Sequence, residues 1–251
     1  MIEPILPTAP PVPGRTSASQ RWSRVSFVHW RVDPAAVAPL LPAGITPDEF
    51  DGSSWVGLIG FWLDRATVLG SPPVPFFGSF AEINVRLYGV DRWGRRGVVF
   101  ASLEASRLLA VLGARALFSL PYEWSATALD AEPAGLRYRS RRHGDRSART
   151  DFVVRPGHEI VDTELSRFLT ARWALFETRF GRTILLRNTH ESWRLQSAEL
   201  VSIDDTLLEK AGVPGRVGRA PDSVLYSAGV TTRFGSILSA RNPTAEPSRP
   251  D

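Results

Sequence analysis

Glu82, Asn84 and Arg86 stand at every second position of the run Phe80-Ala-Glu-Ile-Asn-Val-Arg-Leu-Tyr88. In an extended chain that spacing projects all three from one face, at intervals of ~7 Å. A carboxylate so placed can give or take a proton, and a guanidinium beyond it can grip a substrate carboxylate in bidentate fashion. Phe80 and Tyr88 flank the trio, which suits a partly apolar pocket. The same alternation fits the outer side of an antiparallel sheet, where polar residues at period two are the norm. Three readings of this face stand: the polar lining of a barrel mouth, a solvated sheet face, or a structural Glu82–Arg86 ion pair beneath an exposed loop.

Other common chemistries lack their residues. The chain has no cysteine, which removes disulfides, thiol catalysis and cysteine-ligated metal centres. No Gly-rich phosphate loop, G-x-G-x-x-G fingerprint or G-x-S-x-G elbow occurs. The four histidines are His29, His143, His158 and His190, none of them paired at i, i+4, so neither a metal nor a cofactor is expected. His29, beside Trp30 in a β-like run, reads more readily as a packing residue than as a catalyst. His190, followed by Glu191-Ser192-Trp193, stands at a strand end, where pocket groups are common.

The net charge is only +4 although the sequence pI is about 10.1. The 30 basic residues are 29 arginines and one lysine, Lys210, so few groups lose a proton between pH 7 and 10. The densest basic stretch, Arg137 to Arg149, alternates with Leu136, Tyr138 and Ser140 and turns at His143-Gly144-Asp145. It reads as a hairpin with one solvated face in preference to a phosphate-contacting patch, so no nucleic-acid partner is expected. Met1-Ile2-Glu3-Pro4 has no basic region followed by an apolar run, and no apolar stretch approaches the ~20 residues of a membrane span. The reading is a cytoplasmic protein with no membrane partner.

Strand patterns must position these groups. Residues 24–32 form a β-like run, and Asp33-Pro34 caps a short helix, Ala35 to Leu41, stopped by Pro42 and Gly44. Residues 54–63 read as a strand bent at Gly57 and Gly60, with Trp55 and Trp62 in the core. Pro72, Pro73 and Pro75 mark a loop; Phe80–Tyr88 and Val98–Leu103 are strands about a turn at Arg92–Arg96. A longer helix spans Glu104 to Phe118, with Leu108, Leu112 and Arg115 near one stripe. A short helix around Glu164–Leu169 precedes a hairpin, Arg172–Arg179 with Thr183–His190, turning at Phe180-Gly181-Arg182. Many strands and few helices predict a mainly β (α+β) protein with peripheral helices. A proline-rich extended arm (1–20), one domain (21–240) and a polar tail (241–251) complete the organisation.

Seven segments occur together and in order: Phe27-Val-His-Trp-Arg-Val-Asp33, Leu40-Leu-Pro-Ala-Gly44, Asp51-Gly-Ser-Ser-Trp-Val56, Phe80-Ala-Glu-Ile-Asn-Val-Arg86, Leu120-Pro-Tyr122, Phe168-Leu-Thr-Ala-Arg-Trp173 and His190-Glu-Ser-Trp193. Over residues 22–235 this string resembles the YqjF-like family of uncharacterised proteins, itself related to acetoacetate decarboxylase. The resemblance implies the acetoacetate decarboxylase-like fold, an antiparallel β-barrel or cone whose interior holds the site. It assigns Glu82, in Phe80-Ala81-Glu82, to the pocket carboxylate, and Arg21 or Arg24 to an arginine before the first strand. Gly113-Ala114-Arg115 matches a helical Gly-Arg pair. Where the decarboxylase has an aromatic-Pro-Lys-Lys motif with a Schiff-base lysine, this chain has Leu120-Pro121-Tyr122-Glu123.

That departure removes the amine that imine chemistry requires. Lys210 ends a short helix and is expected at the surface. The expectation is a pocket for a small carbonyl or carboxylate compound, used by an enzyme with non-covalent acid/base chemistry. Glu82, Tyr122 and His190 would be catalytic; Arg24, His29, Asn84, Arg86 and Glu123 would bind substrate. The alternative is a non-catalytic small-molecule-binding protein. Assembly into a homo-oligomer is left open.

Overall fold

The computed structural model describes residues 1–12, 16–68, 70–71, 78–213 and 218–239, with side chains at all of these except 109, 114, 116–118 and 236–239. The loop marked by Pro72, Pro73 and Pro75 and the tail 241–251 lie outside the described residues. The strands are β1 (Ala18–Val32), β2 (Ile45–Pro47), β3 (Ser54–Val68), β4 (Phe80–Asp91), β5 (Arg96–Ala105), β6 (Tyr122–Glu132), β7 (Gly135–Arg142), β8 (Arg149–Ile160), β9 (Ala174–Arg179), β10 (Arg182–Thr189), β11 (Leu195–Asp205) and β12 (Ser223–Ser239). The helices are α1 (Pro34–Val37), α2 (Leu108–Phe118), α3 (Glu164–Thr170) and α4 (Leu207–Lys210).

The pairings close on themselves: β12 joins β1, then β3, β4, β5, β9 and β10, which returns to β12. β6, β7, β8 and β11 form a second route from β5 to β12. Most pairs are antiparallel, as expected, and β5 runs parallel to both β6 and β9. A parallel pair needs a crossover, and α2 supplies it between β5 and β6.

β4 is buried on both faces. Ile83, Val85 and Leu87 join Val28, Trp30 and Leu58 from β1 and β3 against Tyr138 and Phe152. The other face carries Phe80 with Phe27, Ile59, Phe61, Leu103 and Tyr122. Burial of both faces removes the solvated-face reading of Glu82, Asn84 and Arg86. Gly57 and Gly60 act as clearance. A Cβ at Gly57 would lie 2.9 Å from the His29 ring, and one at Gly60 would lie 2.4 Å from the Tyr138 ring.

Local signals explain most boundaries. The Asp33 carboxylate accepts from the Ala35 N–H at 2.9 Å and starts α1, which tightens into a 3-10 turn over Ala38–Leu40. Thr163 and Ser166 form a reciprocal cap on α3. Phe180 and Gly181, both with positive φ, make the two-residue turn between β9 and β10.

Four expectations need correction. The longer helix starts at Leu108, four residues late, because Glu104 continues β5 and is buried against Arg142 and Ser125. Its stripe is not a core stripe: Leu108 and Leu112 are exposed and Val111 is buried. Trp55 is fully buried, whereas Trp62 is only partly so. The arm is shorter than 1–20, since β1 begins at Ala18, and its first residues dock on the sheet. The Glu3 and Leu6 carbonyls accept from Arg96 Nε (2.8 Å) and Trp173 Nε1 (2.9 Å).

Candidate functional site

Side chains from β1, β4, β5, β6, β9, β10 and β12 line a partly open cavity of about 70 Å³. Its polar wall carries Glu82, Arg86, Tyr122, Arg172, Asn188 and His190, and its apolar wall includes Trp22, Phe100 and Leu120. The period-two geometry of β4 brings Glu82 and Arg86 to this space. Asn84, between them, is buried beside Glu82.

Glu82 is 3% exposed, and Tyr122 donates its hydroxyl to Glu82 Oε2 at 2.8 Å. Burial pushes the carboxyl up from 4.5 to about 7, although the Tyr122 hydroxyl and the Asn84 amide pull the other way. Tyr122 is driven well above the usual phenol range by burial and by the neighbouring carboxylate. At neutral pH this pair holds a carboxyl that is close to half-ionised and a phenol that stays protonated.

His190 Nδ1 lies 2.7 Å from the Glu191 carbonyl. A carbonyl only accepts, so Nδ1 carries the proton and Nε2 has a bare lone pair in the neutral ring. Burial, and secondarily Arg86, hold its pKa below the ordinary histidine value. Trp173 and Trp193 pack against the ring in tilted contacts, with centroids at 4.6 and 4.8 Å.

Arg86 is less free than its place on β4 suggests. Its Nε donates to the Tyr88 hydroxyl at 2.9 Å and its Nη2 to the Leu169 carbonyl at 2.8 Å. Tyr88 donates its own proton to Leu169 O at 3.1 Å, so the Tyr88 oxygen accepts from Arg86 and from His29 Nε2, 2.7 Å away. His29 is thus a neutral, fully buried member of this network, held far below the ordinary pKa by burial and by Arg86 and Arg172. It does not line the cavity.

Arg172 is the residue that sequence reasoning missed. It is 5% exposed and lines the cavity. Nε donates to the Phe168 carbonyl at 2.6 Å and Nη1 to Asp48 at 2.5 Å, while buried Nη2 has no hydrogen-bond partner. Asp48, 2% exposed, also takes Arg96 through both carboxylate oxygens at 2.6 and 2.7 Å. Arg172 stood in the segment Phe168–Trp173 that carried the family resemblance, but it read locally as the first residue of a hairpin. Nothing within ten residues signals Asp48, 124 positions away.

Besides His29, Arg24 and Glu123 also lie outside the cavity wall. Arg24 sits at a bulge of β1 with positive φ, over the partly exposed Trp62 ring, and does not line the cavity. Glu123 points the opposite way from Tyr122 and pairs with Arg115 at 3.2 Å in a half-exposed position. Alternation along β6 makes this inevitable, since adjacent strand residues face opposite sides. Lys210 lies on α4 at the surface, 2.9 Å from Asp145. Among the described residues no three His, Asp or Glu side chains converge as a metal site.

Residues 19–231 match the model of domain-of-unknown-function family 2071, described as an uncharacterized conserved protein. The chain belongs to that family. Within it, the uncharacterized protein YqjF of Bacillus subtilis (strain 168) is 32% identical over 197 residues, covering 77% of this chain and 81% of that protein. Solved structures give the fold. Acetoacetate decarboxylase from Legionella pneumophila is similar with a TM-score of 0.62 at 14% identity, covering 92% of each chain. An acetoacetate decarboxylase-like enzyme from Sphingomonas wittichii RW1 gives 0.60 at 17% identity, over 90% of this chain and 93% of that one. The enduracididine biosynthesis enzyme MppR, complexed with pyruvate, gives 0.60 at 15% identity, over 90% and 91%. At these identities the likeness is one of fold, and the fold is acetoacetate decarboxylase-like.

Proposed function

We propose that this family member is an acid/base enzyme acting on a small oxo acid without a covalent intermediate. The observation that carries the proposal is the Glu82–Tyr122 pair: a buried carboxyl poised at about 7, hydrogen-bonded to a phenol at the edge of a cavity. A carboxyl with that pKa takes and returns protons efficiently at neutral pH. MppR, a protein of this fold, is known complexed with pyruvate, a 2-oxo acid, which supports the substrate class.

The step is proton transfer at the carbon beside the carbonyl. Ionised Glu82 takes the α-proton, the C–H electron pair moves into the carbonyl to form an enolate, and reversal restores the ketone. The Arg172 Nη2–H holds the substrate carboxylate, and the positive field of Arg172 and Arg86 stabilises the enolate oxygen. His190 Nε2, a bare acceptor on the same wall, takes that proton on from Glu82 and supplies one from solvent for the reversal. The one lysine, at the surface on Asp145, gives no amine for an imine.

The test is exchange of the methyl protons of pyruvate in D₂O, followed by proton NMR. The wild type accelerates exchange over buffer, Glu82→Gln abolishes it, and borohydride with pyruvate leaves no adduct on the protein. Exchange undiminished in E82Q would refute the assignment. Binding of pyruvate without exchange would replace the enzyme reading by that of a binding protein.

A further inference from the structure

A second pocket, of about 140 Å³, adjoins the polar cavity and shares with it the walls Gln20, Leu120, Tyr122 and Phe234. Its own walls include Leu63, Ala66, Phe80 and Leu186, with Ser19 and Thr67 as polar members, and no charged side chain lines it among the described residues. We propose that the two spaces form one amphiphilic site, whose ligand is a 2-oxo acid with an extended apolar tail: head on Arg172 and Glu82, tail between β3 and α2. This inference rests on the acid/base reading of the cavity and adds the substrate class.

Three observations converge. First, the polar cavity is small. At about 10–15 Å³ for each water-sized group it takes roughly five to seven non-hydrogen atoms, the size of pyruvate. A larger ligand has to extend into the neighbouring space, which is twice the volume. Second, the head end is built and lacks an acceptor. Arg172 is clamped by Asp48 and the Phe168 carbonyl, and its buried Nη2–H has no partner, an arrangement that costs stability until an anion accepts it. Third, the junction orders the two ends. Tyr122 lines both spaces and holds Glu82 from the head side, so a chain leaving the reacting carbon passes Tyr122 and Leu120 toward Ala110 on the crossover helix.

The tail space also explains a feature of α2 that a core helix would not need. Among the described side chains of α2, the one that lines the pocket is Ala110, the smallest that keeps a helix, between exposed Leu108 and Leu112. A large residue there would fill the space.

Isothermal titration calorimetry with pyruvate, 2-oxobutanoate, 2-oxohexanoate and 2-oxooctanoate tests the inference on the wild type, Ala110→Trp and Ala66→Trp. Each variant is checked for folding by its urea transition, and two independent fillers guard against one failing to fold. In the wild type, affinity rises about two- to fourfold per methylene, as burial of apolar groups requires. In either folded filler variant the rise disappears while pyruvate binding is kept. 2-Octanone, without the carboxylate, binds at least about tenfold more weakly than 2-oxooctanoate, the loss of a charge-assisted hydrogen bond. A flat series with measurable pyruvate binding overturns the tail pocket and leaves the acid/base reading standing. So does a rise that persists in both fillers. Equal binding of 2-octanone and 2-oxooctanoate overturns the head assignment. Failure of every acid to bind overturns the acid/base reading together with this inference.

Discussion

Glu82→Gln separates the electrostatic cost of the site from everything else in the fold. A carboxyl at 4.5 in the unfolded chain and about 7 when buried binds more protons in the folded state between those values. Unfolding free energy therefore falls as pH rises through that window, since the slope follows protons bound in the unfolded state minus those in the native one. At 1.36 kcal/mol for each tenfold change, ionising Glu82 in place costs about 3 kcal/mol above pH 7. Below pH 4.5 the group is protonated in both states and the cost vanishes. Glutamine is neutral at every pH and its carbonyl keeps the hydrogen bond from Tyr122. Urea unfolding of wild type and E82Q at pH 4.5 and pH 8.5 gives the comparison. The two proteins should be nearly equal in acid, and E82Q should be more stable by about 3 kcal/mol in base. Glu177, also pushed to about 7 by burial, and Asp205, raised by burial, slope the same way in both proteins and cancel in the difference. A wild-type-minus-mutant difference that does not change with pH would falsify the buried, elevated carboxyl and with it the base.

Tyr122→Phe removes the one hydroxyl that lowers Glu82, so the midpoint of the pH-stability slope, and of any exchange activity, should move upward from about 7. A titration by carbon-13 NMR of labelled Glu82 would read it directly; an unmoved midpoint counts against the hydrogen bond. Asp48→Asn leaves two arginines without their shared counter-charge at a site where Asp48 is 2% exposed and should cost about 3–5 kcal/mol in urea unfolding. A loss below 1 kcal/mol would show that water reaches the pair. Gly60→Ala places a Cβ 2.4 Å from the Tyr138 ring and should lower stability by about 1–3 kcal/mol, whereas Gly44→Ala meets no atom within 4 Å and pays only for its positive φ.

The strands were legible because their signals are local. Alternation over Phe80–Tyr88, the Asp33-Pro34 cap and the Phe180-Gly181 turn each lie within a few residues, and each appears where its pattern stands. The helix start was not, because Leu103, Glu104 and Ala105 pair with β6 some nineteen positions on, and that pairing overrides helical periodicity. Trp62 fails for a similar reason: its residue type favours burial, but its position on the far side of β3 from Phe61 leaves it partly open.

The sequence by itself determined the chemistry available. With no cysteine it excluded thiol catalysis, with one lysine it left a single side-chain ammonium, and the spacing of Glu82 and Arg86 put a carboxyl and a guanidinium on one face of a strand. Only the tertiary structure decided the partners of each arginine. Arg86 gives Nε and Nη2 to Tyr88 and Leu169, whereas Arg172 gives Nε to Phe168 and Nη1 to Asp48, from a different part of the chain, and keeps a buried Nη2 without a partner. Residue type sets what a group can donate or accept. Whether that capacity remains available depends on partners brought together by ring closure, and no local pattern records them.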